Sequence, residues 1–489
     1  MNYYLCFDAG TQSIKVAVYD IEGNNYATAV NPTSLFYPEP GWVEMDVDEY
    51  YRLALEGIKS CVEQLKEKNL NPQDIKAISG DGIICGIAGI DENGKAITPF
   101  INYLDSRTKS DAENLSRLNL KIWANETGNP EPLCLFPALF ARWFLRNSPV
   151  ARDIKKFVHN APYVLMRLGG LKADKAFIDK GALSGWGLGY DVVKKVWSDV
   201  QLKALHIDKN FMPEIKNAWD ITGYLTREAA AYTGLKAGIP ICAGAGDTMQ
   251  SLLACGVFEK GHAVDVAGTC SMFCISTDGI ISGLSEKGTG LIFNSGTLEN
   301  TYFYWGFVRT GGLALRWFRD NVCNKVGDDE YYKYLSEGAK NIPAGSNGVR
   351  FLPYLTGGFQ GSENLRGSFI NVGLDTNQFT LWRAVLEAIA GEYSEIAERC
   401  RNAGTPVDKI IITEGGSKDN LWNQIKADLI QAETITLQTG GALAVNALIC
   451  AYAVGEIKDL KEKLNSVLTQ TGSFKPGTPL KLNTPKIIF

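Results

Sequence analysis

Histidine is scarce in this chain. Only His159, His206 and His262 occur in 489 residues, far apart in sequence. The eleven cysteines are scattered, with no CxxC pair. Together these absences argue against a zinc site, and the unpaired thiols fit a reducing cytoplasm. There is no excess of positive charge either: 49 Lys and Arg stand against 54 Asp and Glu, a net charge of −5. A nucleic-acid or membrane-surface partner is therefore not expected. No apolar stretch approaches the roughly 20 residues that cross a bilayer. The most apolar helix-like run, ALAVNALICAYAVG at 442–455, reads as a short buried core helix. The chain opens directly into an apolar strand, without the basic region and cleavage site of a secretion signal. The familiar nucleotide motifs are missing too. GVFEKGH has glycines at P-loop spacing but His262 where Lys should stand, and GWGLGY is neither GxGxxG nor preceded by a strand. HRD and DFG segments of protein kinases are absent.

Glycine, by contrast, is plentiful at 50 residues, without a collagen-like or low-complexity period. The 45% hydrophobic and 21% charged composition is that of a globular protein, and 489 residues exceed one core. Two α/β halves are expected, 1–250 and 251–489. In the first, YYLCFD and IKVAVY read as a hairpin around Gly10, GNNYATAVN as a third strand, and IKAISGDGI as a later one. Between them, Tyr51, Leu55, Ile58, Val62 and Leu65 recur at helical spacing over 47–67, behind a cap at Asp46 or Asp48. Residues 110–235 read as mostly helical. AGIPICAGAGDTMQSLLACG then gives a strand, a glycine turn and a helix from about Asp247. The second half repeats the scheme with HAVDVAGTCSMFCIS, TYFYWGFV, helices around LALRWFRD and 380–400, and KIIITEGGSKDNLWNQIKADLI.

One short pattern occurs twice. AGTxS stands at Ala9–Ser13 and again at Ala267–Ser271. Either copy alone reads as an ordinary hairpin, but each opens a half-chain of similar size and order. Two glycine turns, one per domain, present backbone N–H groups with no Cβ in the way, which suits a polyphosphate. Thr11 and Thr269 add hydroxyls. Only the first copy follows an aspartate, Asp8. One carboxylate suffices to hold a single Mg²⁺ through water, and a second would repel the phosphates.

DAGTQSIKV, AGAGDTMQSLLACG, VAGTCSMF, RTGGLALRWFRD and TEGGSKDNLWNQIKADLI follow one another in the order found in the FGGY carbohydrate kinases. The chain resembles that family over roughly residues 3–455. The resemblance implies the two-domain, actin-like (ribonuclease H-like) α/β ATPase fold of hexokinase, Hsp70 and actin, with an interdomain cleft. It implies ATP and Mg²⁺ as cofactors, a small sugar as substrate, and a homodimer as the expected assembly. CLFPALFARWFL and GSFINVGLDTNQFTLWRAVLEAIAG resemble the family's signatures, departing at Phe140, where Lys is usual, and at Asn371, where Gly is usual.

By position in the GxGD turn, Asp247 matches the family's catalytic base. A carboxylate can orient a sugar hydroxyl and take its proton as the bond to the γ-phosphorus forms. The plain alternative is a helix N-cap. The same resemblance assigns Gly10, Thr11, Gly268 and Thr269 to the phosphates, Gly312 to the vicinity of the nucleotide, and Gly415, Gly416 and Asn420 to the adenosine pocket. Ser417 or Asp419 would cap the following helix, and Lys15 faces either the phosphates or solvent. On the sugar side, the Gln-Met-His-Gly segment of xylulose kinases corresponds to Ile83, Ile84, Cys85 and Gly86. Cys85 replaces the histidine, which puts D-xylulose itself in question. Ile84, Cys85, Asp81, Asp105 and Asp247 are the candidate sugar contacts, with Asp81 equally a turn residue. Asp105 and Arg107 either floor the sugar pocket or form an internal ion pair. Trp123 and Trp186 read as core tryptophans before sugar-stacking ones.

The expected activity is ATP-dependent phosphorylation of a hydroxyl of a small sugar: a ketopentose such as xylulose or ribulose, a related ketose, or a glycerol- or erythritol-like polyol. Closure of the cleft would exclude water from the transfer. The rival readings are an actin-like ATPase, an Hsp70-like chaperone, for which too few residues follow the last core helix, and a catalytically silent sugar sensor.

Overall fold

The strand Tyr3–Ala9 is buried except at the half-buried Asp8, and its apolar side chains part in strict alternation. Tyr3, Leu5, Phe7 and Ala9 enter one hydrophobic cluster, Tyr4 and Cys6 another. The next strand, Ser13–Tyr19, divides in the same way, with Ile14, Val16 and Val18 on one face and Ala17 and Tyr19 on the other. Strands apolar on both faces belong to a sheet covered on both sides by helices. The computed structural model contains that arrangement. It describes residues 1–479 apart from 119, 269–270, 287, 309, 358–363 and 439.

The chain forms two compact units. The first comprises residues 1–258, 278–303 and 439–468, and the second the rest. In the first unit the strands run in the order Ile221–Tyr224, Pro240–Cys242, Ile75–Gly82, Tyr3–Ala9, Ser13–Tyr19 and Asn25–Pro32, with Ala245–Gly246 also beside Ile75–Gly82. Tyr3–Ala9 is antiparallel to Ser13–Tyr19 and parallel to Ile75–Gly82. One face carries the helices Val47–Glu67 and Asn160–Gly169, the other Asp247–Ala254 and Gly441–Ala453. The last helix shows little amphipathic contrast: all of Ala444–Ala451 is buried. A helix apolar all round needs cover on every side.

In the second unit, five strands follow one another as Ser271–Thr277, His262–Ala267, Lys409–Thr413, Glu433–Gln438 and Thr469–Phe474. His262–Ala267 is antiparallel to Ser271–Thr277 and parallel to Lys409–Thr413. Each unit thus starts from an antiparallel pair, the strands of which flank an AGTxS segment in the sequence, and lays the first strand of the pair beside a later parallel strand.

The helix Val47–Glu67 has the bounds its periodicity predicts, and its cap is Asp46, whose side chain accepts from Asp48 N. Its buried stripe, however, runs through Tyr50, Leu53, Ala54, Gly57, Ile58, Cys61, Val62 and Leu65, leaving Tyr51 and Leu55 at the margin. Residues 110–235 are less helical than expected. Among the described residues, six α-helices are interspersed with two- to four-residue strands such as Lys156–Val158, Phe177–Asp179 and Glu214–Lys216. Runs that short carry too few residues for a period-2 signal.

Candidate functional site

Strand register sets the first unit's polar cluster. Asp8 lies abreast of Asp81 and Lys15, and Gly246 abreast of Gly82, so that Asp247 follows at the same edge. The place is where parallel strands end and their backbone groups leave the ladder, the usual position for ligands in α/β sheets. Asp247 is the first residue of its helix. Gly246 holds the cap position, so the N-cap alternative does not describe it. Its Oδ1 accepts from Thr248 N at 2.5 Å and from Thr248 Oγ1 at 3.1 Å. Burial and the charge of Asp8 push its carboxyl up to about 7, against the two Thr248 bonds, which pull it down.

Asp81 is fully buried. Asn446 Nδ2 donates to its Oδ2, Gln250 Nε2 donates to Asn446 Oδ1 at 2.6 Å, and Thr297 Oγ1 donates to Gln250 Oε1 at 3.2 Å. Its Oδ1 has no hydrogen-bond donor among the described residues. Burial and the charges of Asp8 and Asp247 raise its pKa well above the carboxylate range, so a proton on this group is what the surroundings favour. Asp8 is raised as well, by burial, with Lys15 opposing at 3.6 Å.

The Gly10–Thr11 turn is tight. Gly10 N donates to Ser13 O at 3.0 Å, and a Cβ at Gly10 would stand 3.2 Å from that same oxygen. Tyr50 donates its hydroxyl to Gly10 O at 2.8 Å, and Thr11 Oγ1 lies 3.2 Å from the hydroxyl of the exposed Tyr103. Ile84 packs against Gly246, the residue before Asp247: a Cβ at Gly246 would come within 2.2 Å of Ile84 Cγ2. Cys85 is partly exposed, its thiol 3.7 Å from Gly185 O, and burial with the Asp247 charge pushes it up to about 12. That shift favours the protonated thiol.

Asp105 stands in an internal ion pair. Both its oxygens accept from Arg107, whose guanidinium also reaches Glu44 at 2.8 Å and lies 3.9 Å from the ring of Trp42. Val43 N adds a bond of 2.6 Å. Trp123 and Trp186 are 1% and 0% exposed, so neither offers a face to solvent.

In the second unit, Gly268, Gly312, Gly415, Gly416 and Asn420 line one cavity of about 690 Å³. Thr269 lies outside the described residues. Gly312 N donates to Gly268 O at 3.0 Å, tying two of the glycine segments together. A Cβ at Gly416 would meet the Ala267 Cβ at 2.4 Å, whereas one at Gly415 would meet nothing within 4 Å. Asp419 caps the helix Asn420–Ile430 through Trp422 N and accepts from Ser336 Oγ at 2.5 Å. Beneath the cavity, Lys426 is buried against Asp265, which also accepts from Tyr393 at 2.7 Å, and its ammonium lies 3.5 Å from the ring centre of Trp422.

Residues 3–254 match the N-terminal domain of the FGGY family of carbohydrate kinases, and residues 263–454 its C-terminal domain. The chain belongs to that family. It is a sugar phosphotransferase, and ATP is the phosphoryl donor its family implies. An autoinducer-2 kinase of Enterobacter sp. (strain 638) is 26% identical over 93% of this chain and 86% of its own length. A xylulose kinase of Bacillus subtilis (strain 168) is 24% identical over 97% of this chain and 93% of its own. Among solved structures, a xylulose kinase from Rhodospirillum rubrum superposes with a TM-score of 0.85 at 23% identity, covering 97% of this chain and 94% of that one. A Plasmodium falciparum glycerol kinase with ADP superposes with a TM-score of 0.87 at 20% identity, covering 98% and 94%. The fold is thus the actin-like ATPase fold with mixed α/β sheets. Among the described residues no helix is long and apolar enough to cross a membrane.

Tyr50, Tyr103, His159, Asn160, Gln250 and Asn446 bond into the first unit's polar cluster without any motif to mark them in the sequence. The one available signal was their polarity inside otherwise apolar segments such as KFVHNAPYVLM and ALAVNALICA.

Proposed function

We propose that this kinase transfers the γ-phosphoryl of ATP to a hydroxyl of a ketopentose such as xylulose or ribulose, or of a closely related ketose. In this reading the acceptor binds on the first unit, beside Asp247, Ile84 and Cys85, and adenosine binds in the second unit's cavity against Gly415, Gly416 and Asn420. The observation that carries it is Asp247 itself. It begins a helix at the strand edge shared with Asp8 and Asp81, held by Thr248 through one oxygen, with a carboxyl near 7. A base poised near neutrality takes the acceptor's proton while the hydroxyl attacks phosphorus, and the proton leaves on the carboxylate. On the first unit, Gly10 and Thr11 offer phosphate oxygens backbone and hydroxyl donors. Asp8 offers the hard oxygen donor that Mg²⁺ prefers, with 22% of its side chain exposed. When bound, that ion neutralises charge on the phosphates. The ketose assignment draws support from the relatives named xylulose kinase. The neutral Cys85 thiol and apolar Ile84 favour an acceptor with few polar groups on that side, which keeps a small polyol as the second reading.

The test is coupled ADP release across ketopentoses, ketohexoses and polyols. One ketose is expected to lead in kcat/KM. Asp247→Ala is expected to lose about 10²- to 10⁴-fold in kcat on that acceptor. A variant with full turnover removes the assigned base, and a leading polyol replaces the ketose.

A further inference from the structure

Two loops meet the candidate chemistry in the first unit, the Gly10–Thr11 turn after the strand Tyr3–Ala9, and Ile83–Cys85 after the strand Ile75–Gly82. Both leave the sheet ladder, so their buried carbonyls need donors from elsewhere. Two of the three donors come from one place. His159 Nε2 donates to Ile84 O at 2.9 Å, and Asn160 Nδ2 donates to Ala9 O at 2.8 Å. Tyr50 completes the set at Gly10 O, 2.8 Å away. All three side chains are 3% exposed or less.

His159 and Asn160 are adjacent, at the start of the helix Asn160–Gly169. His159 holds the N-cap position but makes no capping bond, so its ring is committed to the loop instead. The bond to a carbonyl requires the hydrogen on Nε2, which leaves Nδ1 bare, and Nδ1 has no partner among the described residues. The Asn160 amide is oriented by Ala161 N, which donates to its Oδ1 at 3.0 Å. The approach depends on Gly82, where a Cβ would stand 2.6 Å from Asn160 Oδ1.

We propose that His159 and Asn160, seconded by Tyr50, are positioning residues that lock the phosphate turn and the acceptor loop to a single helix end, so that both keep a fixed offset from Asp247. This rests on the kinase site proposed above. None of the three touches substrate, and each acts through a backbone carbonyl.

Imidazole offers a sharp test, because a glutamine amide nitrogen falls near Nε2 and an asparagine amide nitrogen near Nδ1. His159→Gln, His159→Asn and Asn160→Leu are compared with wild type by amide hydrogen exchange without substrates, and by kcat and KM on the leading acceptor. His159→Asn is expected to speed exchange over residues 83–86 by at least about fivefold, and Asn160→Leu over residues 10–13 by a similar factor. His159→Gln should match wild type in both regions. In kinetics, His159→Asn should raise KM for the acceptor and Asn160→Leu KM for ATP, with His159→Gln restoring the former. Equal behaviour of the Gln and Asn variants, or acceleration spread evenly over the first unit, overturns the proposal in favour of a general packing role. A wild-type protein that releases no ADP with any acceptor would refute the proposed function, yet the exchange pattern would still decide the positioning role by itself.

Discussion

Asp247 works in the proposed reaction as a carboxylate, and its surroundings resist that charge. Burial and Asp8 raise its pKa to about 7 from the usual 3.8. Below that value the base carries the proton it must accept, so kcat/KM for the acceptor should rise about tenfold per pH unit up to about 7 and then level. A profile flat from pH 5 to 8 would place the base elsewhere. The same shift has a consequence for stability. The folded state holds this proton where the unfolded chain has lost it, so the group's contribution to stability falls as pH rises from about 4 to 7. Activity and stability therefore move in opposite directions across one window, the pattern expected of a functional group held against its preference.

Among the elements, two neighbouring glycines of the second unit meet opposite packing limits. A methyl at Gly416 has to displace Ala267, the last residue of the strand His262–Ala267, and Trp422 at 2.9 Å, in the helix behind the cavity. Overpacking of this kind costs about 1–3 kcal/mol. Gly416→Ala should lower the melting temperature and raise KM for ATP several-fold, while Gly415→Ala, whose methyl meets nothing within 4 Å, should melt as wild type does. Equal melting of the two variants would show that the strand and helix yield. These elements also mark how far one sequence can be read. Strands such as Tyr3–Ala9 and the helix Val47–Glu67 were legible because seven or more residues repeat a period that burial enforces. The AGTxS pairs and the EGGSKDN turn were legible because glycine punctuates them. The stripe of the first helix was misplaced by a residue because Ala54, Gly57 and Cys61, small and weakly hydrophobic, lie deeper than the larger Tyr51 and Leu55. The Asp81–Asn446 bond spans 365 positions, and His159 to Ile84 spans 75. No local pattern encodes such pairings, so the polar frame behind the candidate site emerged only with the fold.

At the scale of the whole molecule, the chain does not complete its first unit before starting the second. Residues 439–468 pack within the first unit although they follow most of the second in sequence. Their helix Gly441–Ala453 covers the sheet face carrying Tyr4, Cys6, Ala77 and Cys242, and its Asn446 supplies the donor to Asp81. A fragment of residues 1–250 therefore lacks the cover of one sheet face and leaves the buried Asp81 without its amide partner. A fragment of residues 251–489 carries a helix apolar on all sides with nothing of the first sheet to receive it. Both fragments should aggregate or stay loosely packed, lacking near-ultraviolet dichroism. Joining residues 439–468 to 1–250 through a flexible linker should restore much of the solubility and tertiary signal of the first piece, because it returns the missing face. Independent folding of 1–250 without that segment would mean that the helix is an accessory to the first unit's core, and the polar network from Asp81 through Asn446 to Gln250 would then lose its claim to hold the candidate site together.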